Sequence, residues 1–306
     1  MNGAVIAAII AAAAAILGTI STVVTQVYYR KKSSDDTKAS FKQQNEQLKQ
    51  TLAAQSTRER NERFATAADL LGSDTPAIQL AGVYAMATLA DDWEENRQTC
   101  VDVLCAYLRL PYEPDPGDQA TEEKRREFQA NSEVRHTLMR VIAEHLRDPG
   151  VAKQRAQQSW QGLNFNFSGV VFDGGSFSDA SFPKGKVDFG RTEFPAGGKV
   201  SFNRVKFSGA RVDFHDARFS GGTVEFEDAR FSGGEVNFRR AEFFVGCKVS
   251  FKLAQFSGSE VNFGDGALFC GGEIDFSSAD VWSHPPTFSF TGIPPRGVTL
   301  PEGWAP

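Results

Sequence analysis

The sequence predicts a multidomain α+β chain: an apolar N-terminal helix, a small all-α domain and a C-terminal β-solenoid. Three observations carry this. Met1 to Tyr29 holds no charged side chain. Residues 58–150 place apolar side chains at helical spacing. From Leu163 to Val281 the chain repeats itself with a period of roughly twelve residues, as in VDFHDARFSGGT, VEFEDARFSGGE and VSFKLAQFSGSE.

Residues 1–32 read as a transmembrane anchor with a basic flank. Ala4 to Tyr29 would rise about 39 Å as a helix, enough to span a bilayer with some tilt. Tyr28 and Tyr29 stand where an interfacial aromatic belt would lie, and Arg30, Lys31 and Lys32 follow at once. Positive charge after the segment and none before it predicts the N-terminus outside and the bulk of the chain in the cytoplasm. A cleaved signal peptide is the rival reading, but the basic n-region and short apolar core are missing. A buried soluble helix would need a polar face, and there is none.

Residues 33–57 are polar and Gln-rich. Phe41, Leu48 and Leu52 are their sizeable apolar side chains, giving either a solvated spacer helix or a short coiled-coil stalk. Residues 58–150 predict a helical domain. ERFATAADLL stops at Gly72, a C-cap residue. Asp74 or Thr75 then caps a helix with Pro76 in its first turn. Its apolar residues Ile78, Leu80, Val83, Tyr84, Met86, Ala87 and Leu89 cover more than one face. A third helix runs from Asn96 to Leu110, the PYEPDPGDQ stretch is a loop, and a fourth helix runs from Glu133 to Arg147. Short turns between helices suggest a hairpin stack of the HEAT or armadillo kind.

In residues 160–282 the phenylalanines set the geometry. Phe214, Phe219, Phe226, Phe231, Phe238 and Phe243 lie alternately five and seven apart. No helical face collects that spacing, and recurrent Gly pairs oppose a helix. Val224 stands two before Phe226, and Ala229 two before Phe231. Each pair therefore shares one face of an extended strand. The odd step from Phe226 to Ala229 keeps both pairs inside only if the chain turns a corner between them. Glu227–Asp228 is then a tight corner and Ser232–Glu235 a looser one. A chain that turns the same way every five to seven residues winds into a coil, and coils stack at about 4.8 Å. A β-meander with a coincidental rhythm is the alternative, opposed by the number of quintets in register. The winding assigns to the lumen Phe167, Phe172, Phe177, Phe182, Phe189, Phe194, Phe202, Phe207, Phe214, Phe219, Phe226, Phe231, Phe238, Phe243, Phe251, Phe256, Phe263 and Phe276. Trp160, Gly162 and Leu163 are expected to cover the first coil. Trp282 and the Pro-rich tail, residues 283–306, are expected to cover the last.

VVFDG, GSFSD and ASFPK, from Val170 to Lys184, follow an A-x-F/L-x-x pattern. In this the chain resembles the bacterial pentapeptide-repeat proteins. From Val187 onward it is similar to a variant with two extra residues after every second quintet. The resemblance implies a right-handed quadrilateral β-solenoid. Twenty quintet centres between Phe167 and Val281, with Leu268 among the degenerate ones, give about five coils and about 24 Å of stack. Arg63 to Arg109 also resembles the helical segment found ahead of the repeats in such proteins, including membrane-anchored ones.

Candidate chemistry is sparse. His136 and His145 lie on opposite faces of one helix, and His215 and His284 are solitary. Cys100, Cys105, Cys247 and Cys270 form no disulfide or metal-ligand framework. No nucleophile elbow, HExxH, Walker loop or dinucleotide fingerprint occurs. No catalytic residue, cofactor or metal is therefore expected. The function expected is a membrane-tethered, non-catalytic scaffold for protein–protein interaction on the cytoplasmic face. Its partners would be the bilayer through residues 4–29, an unidentified protein and, through the spacer or a solenoid end, a second copy as a homodimer. The alternative, which the resemblance implies, is a DNA-mimicking inhibitor or protector of a type II topoisomerase. That role needs a strongly acidic rod. Residues 163–281 carry 16 acidic against 13 basic side chains, interleaved, so no nucleic acid or nucleic-acid enzyme is expected as a partner.

Overall fold

The computed structural model describes residues 3–117, 119–148 and 157–304. The chain divides into two compact units, Met1–Asn61 and Glu62–Pro306. Helix α1 runs unbroken from Gly3 to Leu71. No proline or Gly-rich stretch separates the apolar segment from the spacer or from ERFATAADLL, so one helix carries all three.

In the second unit, the N–H of Gly72 reaches the Ala68 carbonyl at 2.9 Å and closes α1. Helix α2 (Pro76–Asp92) follows Thr75, whose extended backbone takes the N-cap place without a side-chain bond. Helix α3 spans Arg97–Leu108 and α4 spans Glu122–Leu146. The last begins well before the expected Glu133. Thr121 caps it by accepting from the Lys124 N–H at 3.3 Å, and Glu122 and Glu123 fill its first turn. Those turns are polar, so hydrophobic spacing does not register them. Val83, Met86, Ala87 and Leu89 of α2 are buried, whereas Ile78 and Tyr84 are exposed. The Tyr84 hydroxyl instead accepts from Arg140 at 2.8 Å. At Gly82 a Cβ would stand 2.5 Å from the Leu71 backbone N, so only glycine allows α2 to cross the end of α1 this closely.

The repeats wind into a parallel β-solenoid of about five turns. Four phenylalanine ladders fill it. Phe167, Phe189, Phe214, Phe238, Phe263 and Phe288 stack with centroids 4.4–5.5 Å apart. Phe177, Phe202, Phe226, Phe251 and Phe276 make a second ladder at 4.4–5.3 Å. Phe172, Phe194, Phe219, Phe243 and Phe269 make a third. Phe182, Phe207, Phe231 and Phe256 make the fourth, which ends edge-on against Trp282. Small residues beside each ring complete the lumen: Val212, Val236, Ala217 and Ala241 are fully buried.

Most tight corners repeat one device. The alanine-position N–H returns to the ring residue's carbonyl, as Ala229 to Phe226 at 3.1 Å, around a residue of positive φ. A polar side chain ahead of the corner accepts from the backbone two residues on, as Asn237 does from Arg239 at 3.0 Å. One corner departs from this. Leu268, expected as a degenerate lumen centre, points outward, and Phe269 stacks on Phe243 at 5.5 Å. Asp265–Gly266 adds a residue to the corner, and Glu242 pairs with Leu268, so the register shifts by one. Beyond Trp282 the winding continues. Thr287–Phe288 pairs with Asn262–Phe263, and Val298–Thr299 pairs with Ile274–Asp275.

The helices close the first coil. Residues from both parts share one core, running from Ala67 to Val298. The Gln98 amide donates to the Asn164 carbonyl at 2.8 Å and accepts from the Asn164 N–H at 2.9 Å, imitating a neighbouring strand. Arg135 donates to the carbonyls of Leu108 at 2.8 Å and Val171 at 3.1 Å. Trp160, expected over the first coil, packs among the helices instead. Its ring stacks on His145 at 4.1 Å, and its indole N–H donates to Asp91 at 3.0 Å.

Candidate interaction surface

The outer corners carry charge in alternating columns. Asp179, Arg204 and Asp228 follow one another up one tight corner, and Arg191, Asp216, Arg240 and Asp265 up the other, all at positive φ. Arg204 binds both oxygens of Asp179 at 2.7 and 2.9 Å. Arg240 binds both oxygens of Asp216 at 2.7 and 2.6 Å. These guanidinium bonds hold both carboxyls below the usual carboxylate range. The faces pair likewise between coils: Lys199 with Glu225 at 2.6 Å, Arg218 with Glu242 at 3.4 Å, and Lys248 with Glu273 at 3.3 Å. Such exposed pairs add little to stability. Their larger effect is to cancel the field that an acidic rod would project.

One corner breaks this pattern. Where other coils turn through Ser-Gly-Gly, the chain reads Phe244-Val245-Gly246-Cys247, and one coil later Leu268-Phe269-Cys270. Val245 is 76% exposed and Leu268 49%. Cys270 is exposed, and Phe244 is half-buried with Arg218 over its ring at 5.5 Å. Strand Leu268–Cys270 is also the last of its sheet, with no strand stacked on its far side among the described residues. Apolar side chains and an open strand edge thus coincide near the C-terminal end of the solenoid.

Each of three histidines meets an aspartate that sequence spacing gave no reason to expect. His136 Nε2 lies 3.0 Å from Asp173, His145 Nε2 3.2 Å from Asp91, and His215 Nδ1 3.1 Å from Asp213. Ser132 Oγ, 3.5 Å from His136 Nδ1, extends the first pair into a Ser–His–Asp line. The second oxygen of Asp173 accepts from the Tyr112 hydroxyl. A Cβ at Gly174 would stand 2.9 Å from His136 Nε2, so glycine at that place lets the imidazole approach the first coil this closely. Burial opposes the Asp173 charge, but the bonds from His136 and Tyr112 prevail and hold its carboxyl low. Burial first, then Asp173, pushes the Tyr112 hydroxyl up. The cluster ties α4, the loop after α3 and the first coil together.

No family model, curated protein or solved structure matches this chain.

The eighteen phenylalanines that the sequence places in the lumen are all buried. Phe269, half-buried, extends the third ladder at the place where the sequence predicts Leu268. Phe288 extends the stack beyond the expected end. Tyr28 and Tyr29 are exposed on α1, with rings edge-on at 5.8 Å. Arg30, Lys31 and Lys32 are exposed on the same helix. The helix contains a window of mean hydropathy 2.4, so it is long and apolar enough to cross a membrane by length and composition. Burial pushes the thiols of Cys100, Cys105 and Cys247 up to about 11, 12 and 11. Among the described residues no group of three His, Cys, Asp or Glu is placed to hold a metal ion.

Proposed function

We propose that this chain is a pentapeptide-repeat protein held at the membrane by residues 4–29, and that it serves as a non-catalytic scaffold for a protein partner on the cytoplasmic face. The observation that carries the scaffold reading is the apolar corner formed by Phe244, Val245, Leu268 and Cys270. On a surface otherwise neutralised by cross-coil pairs, it is the place where burial against a partner would be rewarded. The membrane-anchor reading draws support from the uncharged, exposed face of α1 over Ala4–Tyr29 and the basic triplet that follows. The alternating corner columns oppose the DNA-mimic alternative, which needs acidic charge uninterrupted along the rod.

The test is chemical crosslinking in membranes from cells expressing the full chain. Val245→Asp combined with Leu268→Asp should remove the crosslinked partner band while leaving the protein folded, since both side chains are solvent-facing. The wild-type band should persist at moderate salt, because exposed charge is already screened beyond about 8 Å at physiological ionic strength. An unchanged band in the double variant would reject the corner. Salt-sensitive inhibition of DNA supercoiling by the protein would reject the scaffold reading itself.

A further inference from the structure

The exposed stripe on the polar part of α1 has the spacing and charge layout of a seam between two helices. Phe41, Asn45, Leu48 and Leu52 follow steps of four, three and four residues, which align them as d, a, d and a of a heptad. Phe41, Leu48 and Leu52 are exposed, 56–64% each, and Asn45 between them is half-buried. They sit on a helix that continues for several turns on either side.

We propose that this stripe is the contact for a second copy of the same chain, in a parallel two-stranded coiled coil. The flanking positions select both the occupant and its direction. In a parallel pair, the g position Gln44 of one copy faces the e position Lys49 of the other, and Thr37 faces Lys42, so no like charges meet at the flanking positions; Lys38, the a position before Phe41, ends the apolar seam, its long stem able to carry the ammonium out to water. In an antiparallel pair, Lys42 would face Lys49 of the second copy, a repulsion across the seam. Lys49 is also steadied within its own helix by Glu46 at 3.3 Å, which keeps it clear of the core. Asn45 adds a second selection. At an a position its amide pairs with the same amide of an in-register copy. In an antiparallel pair it would face Leu48, and with one copy shifted a heptad it would face Leu52 or Lys38, neither of which matches the amide.

Four core positions make a short coil. They are too few to hold two free chains together in solution. The inference therefore rests on the anchor reading above. Two copies held in one bilayer enter the seam already parallel and at a raised effective concentration.

The test is cysteine crosslinking of the full chain in native membranes, in a Cys270→Ser background that removes the exposed thiol. Phe41→Cys and Leu48→Cys occupy d positions, and Gln43→Cys and Gln50→Cys occupy f positions on the outer face. Mild oxidation should give disulfide dimers at both d positions, exceeding those at the f positions by about tenfold, because a disulfide needs Cβ atoms within roughly 4.5 Å. Adding Leu52→Asp to Phe41→Cys should remove most of that dimer. Equal yields at d and f positions, or none at either, would overturn the proposal. A mixed dimer between Phe41→Cys and Leu52→Cys chains would overturn its parallel direction. Carbonate extraction of the same membranes separates the two readings. Extracted protein refutes the anchor and with it the argument from raised local concentration, whereas retained protein that fails to crosslink at d positions refutes the seam alone.

Discussion

The two ends of the solenoid solve one problem in opposite ways. Both ends of such a stack expose strand edges and lumen. At the first coil, helices supply polar partners: Gln98 for the Asn164 backbone, Arg135 for the Val171 carbonyl, and His136 and Tyr112 for Asp173. At the last, the chain covers itself mainly with rings, Trp304 lying edge-on to Trp282 at 5.3 Å and meeting Phe288 at 5.8 Å. The first end is therefore fixed by specific bonds. The second is closed by apolar contact and leaves Val245 and Leu268 exposed beside it. Where a repeat protein satisfies its edges, it gains rigidity. Where it closes by apolar contact alone, it leaves side chains such as Val245 and Leu268 exposed to solvent.

The largest expected effect tests whether the interior is uniform between those ends. Phe226 stacks between Phe202 at 5.0 Å and Phe251 at 4.9 Å. Phe226→Ala should cost about 3–5 kcal/mol, because neighbouring coils cannot collapse into the hole. Phe288 lies on the last layer and is 9% exposed, so Phe288→Ala should cost less, about 1–2 kcal/mol, as the tail can settle into the gap. Urea unfolding of the two variants compares them. Equal losses would mean that the last layer is packed as tightly as the middle.

Next in size is the polar closure. Arg135 is buried, lies 4.1 Å from the Tyr112 ring centroid and binds two carbonyls. Arg135→Met keeps much of the volume but orphans the Leu108 and Val171 carbonyls, at a cost of about 2–3 kcal/mol. Arg135→Lys should not restore the loss, since one ammonium cannot span both acceptors in the same geometry. Full recovery by lysine, seen in the same unfolding measurement, would reduce the site to simple charge.

Solenoid and closure were not equally legible in the sequence. The Phe spacing is local and repeated, so each coil confirms the last, and the four ladders could be read from intervals alone. The polar closure joins residues with no shared pattern. Asp173 occupies an ordinary corner position, and only the fold brings His136 and Tyr112 to it. The corner at Leu268 fell between the two cases. One inserted residue moved Phe269 into the ladder, and a strict five-residue count assigned the lumen to its neighbour. The apolar corner was visible as a change from Ser-Gly-Gly to Phe-Val-Gly-Cys, but its exposure was not, because Phe and Val also fill the lumen.

A smaller effect tests the bonds that anchor the closing helices. Both ring nitrogens of His145 face acceptors, the Val141 carbonyl at 2.7 Å and Asp91 at 3.2 Å, so both must donate and the ring is charged. Burial works against that charge. The bonds to Asp91 and Val141 outweigh it and raise the folded pKa above the ordinary value. A raised pKa places the stabilisation fully below the unfolded value near 6.5 and removes it as pH rises through the folded value. The stability gap between wild type and His145→Gln should therefore narrow as pH rises from the unfolded value through the folded one. Thermal melts across that range measure it, and a gap that widens with pH would mean the ring is neutral when folded.

The smallest effect concerns the corners, and it separates the last coils from the earlier ones. The positive-φ corner residues are Asp or Arg in most coils, and their charges pair with a neighbouring coil, as Arg204 does with Asp179. Leu253 takes the same place at φ 56°, is 44% exposed and has no polar group to offer. An L-residue in this region costs about 1–2 kcal/mol against the right-handed alternative, and glycine escapes that cost. Glycine also adds freedom to the unfolded chain, which offsets part of the gain. Leu253→Gly should therefore stabilise by about 0.5 kcal/mol. Arg204→Gly, in the same column two coils earlier, relieves the same backbone but loses the bidentate bond to Asp179 at 2.7 and 2.9 Å, so it should come out near zero or slightly destabilising. Unfolding midpoints for the two variants decide the matter. A loss on Leu253→Gly would show that the leucine contributes packing that its exposure hides. The apolar surface at the C-terminal end would then extend from Val245 and Leu268 to a second corner.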